Sequence, residues 1–298
     1  MVSLPAISRK TKDRLIFGTL ITVLLVIVWA LSFQLPRGSA STSYLTMSFC
    51  DVGQGDAILL AKGNTQVLVD GGPGTDVLSC LGKEMSPWDR TIELMVLTHP
   101  HADHLMGLIT VLDRYQVERV LFYPVDYDSE VYQSFLKAVG DEGAVVLKGV
   151  AGAEIEFSGV HLRVLWPGDT ETLGGAEAQR NINNASVVLL LSYGEFGALL
   201  LGDAEREAQI RFVSATPEVE VLKVAHQGSR DGIYESLLEK ASPELAIISV
   251  GDKNSYGHPH QEALDLLARY RISVLRTDLS GTIRVVSNGQ DFWYTTER

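Results

Sequence analysis

The chain has 298 residues, of which 46% are hydrophobic and 21% are charged, so it can build one large domain or two small ones around a sizeable core. Its two cysteines are too few for a disulfide-based scaffold. The formal charge of −12 excludes a general electrostatic attraction to nucleic acid, so a bound polyanion would have to be attracted by local basic residues or by metal ions.

The N-terminal region predicts a membrane anchor. Residues 15–36 form an uncharged run of 22 residues, which is long enough to cross a bilayer as one helix. Four basic residues precede the run, and Arg37 alone follows it closely. The positive-inside rule therefore predicts a single-pass protein of the cell membrane, with residues 1–14 in the cytoplasm and the body outside. A secreted protein, released by signal-peptide cleavage among the small residues after Arg37, is the alternative.

The body of the chain is more acidic than the whole. Residues 1–40 hold five of the 25 basic residues and one of the 37 acidic ones, which leaves a formal charge of −16 for the rest. Residues 37–43 are small and polar and predict a linker, so the globular domain spans 44–298. Cys50 and Cys80 can pair if this domain lies outside the cytoplasm, and the sequence leaves that question open.

From Tyr44 onward, short apolar runs alternate with glycine-rich turns, as in a mixed α/β domain. Strands are predicted at Tyr44–Val52, Ala57–Ala61, Gln66–Val69, Ile92–Leu97, Val117–Phe122, Ala144–Lys148, Glu154–Phe157, His161–Leu165, Val187–Leu191, Ala198–Leu201, Val221–Val224, Ile247–Val250, Val274–Arg276 and Thr282–Val286. Helices are predicted from Leu105 and at Glu130–Gly140, Ala204–Phe212 and Gln261–Tyr270.

One loop concentrates candidate metal ligands. It follows the strand at Ile92–Leu97 and contains His99, His101, Asp103 and His104. His99 and His101 alternate and can reach one ion, whereas Asp103 and His104 can serve a second. Imidazole and carboxylate ligands without cysteine suit zinc, manganese or iron. The alternative is a polar loop whose histidines cap the following helix.

Other strand ends also carry polar residues. Asp203 and His226 each follow a buried strand, and His258 and His260 precede a helix. Each taken alone can be a helix cap or a packing residue. Together, strand ends that finish in aspartate or histidine indicate one shared site at one rim of the sheet.

Three aspartates lie at earlier strand ends, Asp51, Asp56 and Asp70. Aspartate in such a place is commonly a turn residue that bonds its own backbone. Asp70 is the better candidate for holding a ligand histidine by its other ring nitrogen. His161, in contrast, alternates along a strand as an ordinary surface residue does.

These residues resemble the metallo-β-lactamase superfamily from about Tyr44 to the C-terminus, with His99–His104 as its HxHxDH motif. More narrowly, the chain resembles the C-terminal hydrolase domain of ComEC-type DNA-uptake channel proteins. The matching segments are Asp51–Asp56, Asn184–Ser186, Leu201–Asp203, Leu222–Ser229 and Tyr256–His260. The resemblance implies an αββα sandwich with its metals at one edge of the two sheets, here preceded by one transmembrane helix.

The resemblance also implies two divalent ions, zinc or manganese. The implied ligands are His99 and His101 for the first ion, Asp103, His104 and His226 for the second, and Asp203 as a bridge. Asp103 would also orient the attacking water, and His258 or His260 would face the substrate. Asn184 and Ser186 are possible further ligands or substrate contacts, and Asp51, Asp56 and Asp70 would support the ligands.

Three features depart from the family pattern. Asn184 stands where the superfamily at large has a third histidine, and Gln227 stands where ComEC-type domains have a second histidine beside His226. The single predicted spanning segment leaves no channel-forming domain in the chain, which points to a separate channel protein as a partner.

The sequence thus predicts a membrane-anchored phosphodiesterase or nuclease that acts on DNA, with Lys223, Arg230 and Lys253 supplying local positive charge. The alternatives are hydrolysis of another substrate, such as a wall-polymer phosphodiester, a lactone or a β-lactam, and a non-catalytic subunit of an uptake machine.

Overall fold

The computed structural model describes residues 44–169 and 180–298. Its strands are β1 Leu45–Phe49, β2 Ile58–Lys62, β3 Thr65–Val69, β4 Thr91–Ile92, β5 Leu94–Leu97, β6 Gln116–Val117, β7 Arg119–Phe122, β8 Val145–Lys148, β9 Glu154–Phe157, β10 Val160–Trp166, β11 Val188–Tyr193, β12 Phe196–Leu200, β13 Val221–Lys223, β14 Leu245–Ile248, β15 Ser273–Arg276, β16 Ile283–Ser287 and β17 Phe292–Thr296. Its helices are α1 Asp76–Glu84, α2 Ala102–Leu112, α3 Glu130–Glu142, α4 Arg206–Phe212, α5 Glu235–Ala241, α6 Gln261–Arg269 and α7 Thr277–Ser280.

The strands form two large sheets and one small pair. The first sheet has the order β17-β16-β1-β2-β3-β5-β7-β8, the second has the order β15-β14-β13-β12-β11-β10-β9, and β4 pairs with β6. Strands β3, β5, β7 and β8 run parallel, as do β12, β13, β14 and β15. The remaining pairs within the two large sheets are antiparallel.

Alternating side chains build four layers from these sheets. In β12, Ala198 and Leu200 face the core between the two sheets, whereas Leu199 packs on the helix side. The first sheet likewise shares one core with the second sheet and another with α1, α2 and α3. Helices α4, α5 and α6 cover the outer face of the second sheet. Because successive strand residues point to opposite faces, fully apolar strands are required here, and the αββα prediction is confirmed.

Most predicted elements are present, with shifted ends. The predicted strand at Tyr44–Val52 is shorter, and those at Ile92–Leu97 and Val117–Phe122 are each divided into two. Helices α1, α5 and α7 and strand β17 were not predicted. Helices α5 and α7 have seven and four residues, so neither shows enough turns for a clear apolar period.

No helix within residues 44–169 and 180–298 is both long and apolar enough to cross a bilayer. The predicted cytoplasmic segment at 1–14, the anchor at 15–36 and the linker at 37–43 lie outside the described residues.

A disulfide joins Cys50 and Cys80, whose Cα atoms are 5.9 Å apart. Cys50 lies just after β1, and Cys80 lies on the buried face of α1. The bond therefore fastens the first helix to the first sheet, and it decides a pairing that the sequence left open.

Helix α2 begins at the HxHxDH motif, and two glycines hold it against the end of β3. A Cβ atom added to Gly107 would lie 1.8 Å from the carbonyl oxygen of Gly71, and one added to Gly71 would lie 2.4 Å from the backbone nitrogen of Leu108. Two backbone hydrogen bonds cross this contact, from Gly71 N to His104 O and from Gly107 N to Gly72 O. Backbone can approach backbone this closely only where both residues lack side chains.

We expect Gly107→Ala to destabilise the protein by about 1–3 kcal/mol, because the added methyl group forces α2 away from β3. Gly140→Ala is the matched control, since Gly140 also lies in a helix but has open space around it. That change should stabilise the protein by about 1 kcal/mol through helix propensity alone. Urea unfolding of both variants measures the difference, and equal stabilities would contradict the close-contact argument.

Candidate metal centre

The predicted site residues meet at one rim because the parallel strands of both sheets end there. Asp70 follows β3, the histidine motif follows β5, Asp203 follows β12 and His226 follows β13. The carboxyl ends of parallel strands share one edge of a sheet, where loops converge. Packing the two sheets face to face then brings the two rims together.

Asp70 orients two ligand histidines from behind. Its Oδ2 atom lies 2.8 Å from His104 Nδ1, and its two oxygens accept hydrogen bonds from the backbone nitrogen and hydroxyl of Thr98 at 2.8 and 2.6 Å. A carboxylate only accepts, so His104 carries its proton on Nδ1 and its Nε2 lone pair is free. The Thr98 hydroxyl, having donated to Asp70, accepts from His99 Nδ1 at 3.2 Å, which frees the Nε2 lone pair of His99 too.

Asp203 lies where these free nitrogens point. Its carboxylate oxygens are 3.3 Å from His104 Nε2, 3.7 Å from His99 Nε2 and 3.9 Å from His226 Nε2. Asp203, His99 and His104 are all buried. The backbone nitrogen of Asp203 donates to the hydroxyl of Ser186 at 3.0 Å. Ser186 therefore supports Asp203 from beneath and is not a substrate contact.

His101 and Asp103 complete the cluster on the solvent side. His101 Nδ1 lies 3.0 Å from His99 Nε2, and Asp103 Oδ2 lies 3.7 Å from His104 Nε2. Both residues line an open cavity of about 330 Å³. The cavity is also lined by Ala102, Asn183, Asp203, His226, Gln227, Tyr256 and His258.

Glu205 orients His226 much as Asp70 orients His104. Its Oε1 atom lies 3.1 Å from His226 Nδ1. The side-chain amides of Asn183 and Asn181 each donate to the Glu205 carboxylate at 2.8 Å. The backbone nitrogen of Glu205 donates to Asn184 Oδ1 at 2.9 Å. Asn184 was predicted as a possible ligand or substrate contact, but its side-chain oxygen is engaged in fixing Glu205.

A glutamine pair connects the cluster to His258. The backbone nitrogen of Gly251 donates to Gln54 Oε1 at 3.1 Å, so the Nε2 atom of Gln54 must be the donor to Gln227 Oε1 at 3.3 Å and to His258 Nδ1 at 3.4 Å. His258 Nδ1 is then an acceptor, which leaves Nε2–H as its free donor. By the same reasoning, Gln227 Nε2 points towards His104 Nε2 and Asp203 Oδ1, at 3.2 Å from each.

The backbone around His226 and Gln227 is left-handed, with φ angles of 49° and 48°. Asp70 is also left-handed, with φ 58°. Such conformations are unfavourable for residues with side chains and are found where the surrounding structure enforces them, commonly at functional sites. Here they turn the ends of β3 and β13 sharply, and the side chains of these residues enter the cluster.

Burial and charge shift the acidity of the cluster in opposite directions. Burial lowers the pKa of His99 well below its usual value, and burial is also the main cause that lowers the pKa of His258 to about 4. Burial opposes a charge on His104 as well, but Asp203 and Asp70 raise the pKa of His104 well above its usual value. His258 is therefore neutral at pH 7, whereas the two carboxylates favour a positive charge beside them.

The donor set fits a divalent cation. Ligand atoms of His99, His104 and Asp203 lie within 4.8 Å of one another and are buried. Among the described residues, the buried carboxylates Asp56, Asp70 and Asp203 are matched by Lys223 and by His104, whose raised pKa favours its positively charged form. A cation among the three ligands would balance this excess charge, since an isolated buried carboxylate is strongly unfavourable.

A second group of potential ligand atoms, from Asp56, Asp70 and His104, is equally compact. It is less suited to a metal, because the His104 Nδ1 atom that it would use already donates to Asp70. The Nε2 side of His104, which faces Asp203, is therefore the side that would bind an ion.

Three of the residues named from the sequence lie away from the cluster, whereas Asp56 lies beside Asp70 and His104. Asp51 forms an ion pair with Arg298. Asp56 pairs with Lys223 at 2.7 Å, and both side chains are buried. Lys223 therefore cannot contact a substrate, and the prediction that it supplies local positive charge to one is wrong, because Asp56 neutralises it. His260 accepts from the backbone nitrogen of Arg230 at 3.0 Å, which makes it a loop anchor beside the cavity.

Sequence reasoning missed the roles of Gln54 and Glu205. Gln54 was read as part of a turn, and Glu205 as part of the helix predicted at Ala204–Phe212. One signal was available for Glu205, because it follows Asp203 by two residues and a carboxylate commonly supports a ligand histidine. Nothing in the sequence placed Gln54 next to Gln227, which is 173 residues away. His161 is exposed on β10, as predicted.

Comparisons with known proteins identify the family. A model of the metallo-beta-lactamase superfamily matches residues 50–252. The chain belongs to this superfamily. Its members are generally metal-dependent hydrolases, so the residue cluster described above is the expected place for divalent metal.

The chain also has curated relatives. It is 30% identical to ComE operon protein 3 of Bacillus subtilis over 261 residues, covering 78% of this chain and 32% of that protein. It is 32% identical to Recombination protein 2 of Haemophilus influenzae over 240 residues, covering 79% and 28%. These relatives confirm the similarity to ComEC-like competence proteins. The chain spans about a third of the length of the curated relatives that it matches.

Solved structures show the same fold at low sequence identity. The metallo-beta-lactamase fold protein YhfI from Bacillus subtilis superposes with a TM-score of 0.53 at 13% identity, covering 84% of this chain and 99% of that one. CmlA, a diiron β-hydroxylase from Streptomyces venezuelae, gives 0.51 at 15% identity, covering 83% and 55%. One fold thus carries more than one reaction, and the fold alone does not fix the activity.

We expect Asp70→Asn to weaken divalent-metal binding about 10–100-fold, because an amide has one acceptor oxygen and cannot accept from both donors of Thr98 and from His104 as the carboxylate does. Competition with a chromophoric chelator, for zinc and for manganese, measures this affinity. Asp51→Asn is the matched control, since the same chemical change at the Arg298 ion pair should leave affinity unchanged. Equal losses in the two variants would contradict the orienting role of Asp70.

Proposed function

We propose that this protein is a membrane-anchored, outward-facing hydrolase that cleaves phosphodiester bonds in DNA with two divalent ions, zinc or manganese. The observation that carries the proposal is the cluster of His99, His104 and Asp203, with its ligand atoms directed inwards at the floor of an open cavity. The names of the relatives, which include competence and recombination proteins, favour DNA as the substrate class.

In this proposal, His99 and His101 would hold one ion, Asp103, His104 and His226 would hold the other, and Asp203 would be a ligand to both. Bound divalent ions supply an activated water and neutralise the charge of a phosphodiester. Asp103 lies at the cavity wall, where it can orient the attacking water. His258, whose Nε2–H is left free by Gln54, donates a hydrogen bond to a substrate oxygen.

The disulfide supports the outward orientation. Disulfides persist in oxidising compartments and are rare in the cytoplasm. The Cys50–Cys80 bond thus agrees with the uncharged run at 15–36 as an anchor and with the basic N-terminal segment as its cytoplasmic flank. The proposed partners are the membrane itself, nucleic acid as substrate, and a separate channel-forming membrane protein that receives the processed strand.

Hydrolysis of another substrate, such as a wall-polymer phosphodiester, a lactone or a β-lactam, uses the same ions and is the second candidate. A third is a non-catalytic uptake subunit. It is favoured by one observation: the side-chain amide of Gln227 donates towards the metal-facing atoms of His104 and Asp203. These candidates differ in which substrates are turned over by protein that contains metal.

We expect the full chain, purified in mild detergent and loaded with manganese or zinc, to cleave single- or double-stranded DNA. Asp203→Ala should reduce the rate by more than about 100-fold, because loss of a mere supporting residue already costs 10–100-fold. His161→Ala, at an exposed histidine on β10, should leave the rate unchanged. If the protein contains metal but cleaves no DNA, the nuclease function is excluded. Turnover of a lactone or a wall polymer by the same metal-loaded protein would then identify the second candidate.

The proposed location outside the cytoplasm predicts that Cys50 and Cys80 are oxidised to a disulfide in cells. The protein is recovered from intact cells in the presence of a thiol-alkylating reagent, and mass spectrometry of its peptides shows which cysteines carry the alkyl label. Cys50 and Cys80 should both be unlabelled without reductant and both be labelled after reduction. Reduction should also lower the free energy of unfolding by about 3–4 kcal/mol, since the bond closes a loop of about 30 residues. Free thiols in native protein would contradict an outward-facing domain.

A further inference from the structure

Tyr256 is an exposed aromatic residue at the mouth of the metal cavity. It lines the cavity together with Asp203 and His226, yet 67% of its surface is open to solvent. Its ring is 5.7 Å from the ring of His258 at an angle of 26°. Among the ring pairs of the described residues, this is the one stacked pair, the others being tilted or edge-on.

The loop that carries Tyr256 has a fixed shape. The side-chain amide of Asn254 donates to the carbonyl oxygens of Gly251 and His258 at 3.0 and 2.7 Å, and its oxygen accepts from the backbone nitrogen of His258 at 2.9 Å. Gln54 holds the His258 ring from the other side. The tyrosine ring is therefore presented on a rigid support, although nothing covers it.

Tyr127, the other tyrosine close to the cluster, has a different environment. Its ring packs edge-on against His101 at 5.8 Å and lies 6.5 Å from Tyr132, and it is half-buried. These contacts explain Tyr127 as a packing residue. The ring contact of Tyr256 is the stacked His258 ring, and 67% of the residue still remains exposed, so a bound planar group can pack on the tyrosine ring as well.

Charge indicates what that planar group is. The body of the chain carries a formal charge of −16. Four exposed basic residues lie three positions from a cavity-lining residue, Arg180, Arg206, Arg230 and Lys253, and the last two lie beside acids. Arg230 is 2.9 Å from Glu262, and Lys253 is 3.8 Å from Asp252. Attraction to the phosphate backbone is therefore weak, and a nucleic acid would have to gain affinity through its bases.

We propose that Tyr256 is the stacking platform for a base next to the phosphodiester held at the cluster, so that the substrate is single-stranded nucleic acid. This inference rests on the proposed function and specifies its substrate class. Base faces are accessible in single strands and covered in a duplex, and stacking on an aromatic ring tolerates any base. The ring lies beside the cluster that would bind the phosphate, as a neighbouring base requires.

The test compares the full chain with Tyr256→Ala, Tyr256→Phe and Tyr294→Ala. Fluorescence anisotropy measures binding of a labelled twelve-nucleotide oligothymidylate with a cleavage-resistant phosphorothioate backbone to the manganese-loaded protein, and a manganese-loaded assay gives kcat/KM for the unmodified strand. An oligomer of equal length with abasic positions carries the same backbone charge without the bases. Tyr294 is an equally aromatic, half-exposed residue on β17, outside the cavity lining.

We expect Tyr256→Ala to weaken binding of the oligothymidylate about 5- to 150-fold, which corresponds to about 1–3 kcal/mol per stacked base. Tyr256→Phe keeps the ring and should stay within about threefold of the unaltered protein. The Tyr256→Ala loss should vanish with the abasic oligomer and with the strand annealed to its complement. Tyr294→Ala should match the unaltered protein throughout.

Equal binding of oligothymidylate by Tyr256→Ala and the unaltered protein would overturn the stacking role, as would the same loss with the abasic oligomer. In either case, cleavage of DNA by the manganese-loaded protein would leave the proposed function standing. Failure of the unaltered protein both to bind and to cleave any strand would overturn the proposed function together with this inference.

Discussion

The carboxylate of Asp70 is the interaction on which the site depends. Because it accepts from His104 and from the Thr98 hydroxyl, it sets the proton positions of His104 directly and of His99 through Thr98. Both rings then present unprotonated nitrogens to Asp203. Without this arrangement, three ligands would still be near one another, but their lone pairs would not converge.

On the other side of the cluster, a second carboxylate orients a histidine in the same way. Glu205 holds His226 through its Nδ1 atom, and two asparagine amides hold Glu205. The first sheet thus supplies two supported histidines, and the second sheet supplies one. The Asp56–Lys223 ion pair lies between these halves, because Asp56 precedes β2 and Lys223 ends β13. Breaking such a pair leaves an uncompensated buried charge, so it fixes how the two sheets meet behind the metal ligands.

The sequence was a good guide to residues whose role depends on local context. The HxHxDH segment forms a site by itself, since its ligands lie within six residues on one strand-to-helix loop. Asp70, Asp203 and His226 were found from the repeated pattern of a buried strand that ends in a polar residue. That pattern did not separate ligands from supports, which is why Asn184, Ser186, Asp51 and His260 were assigned closer to the chemistry than they lie.

By itself, the sequence determined the superfamily, the αββα fold and the identity of the histidines and aspartates that cluster at one rim. The superfamily and the fold are what the resemblance to the family motifs implies, and the clustering at one rim follows from polar residues at successive strand ends. Only the tertiary structure decided which nitrogen of each histidine is free, that Lys223 is buried, that Gln54 touches Gln227, and that Tyr256 stands uncovered at the cavity. Such facts depend on contacts between different segments, which are 34 residues apart for Asp70 and His104 and 173 residues apart for Gln54 and Gln227, and no local pattern in the chain encodes the distance between two loops.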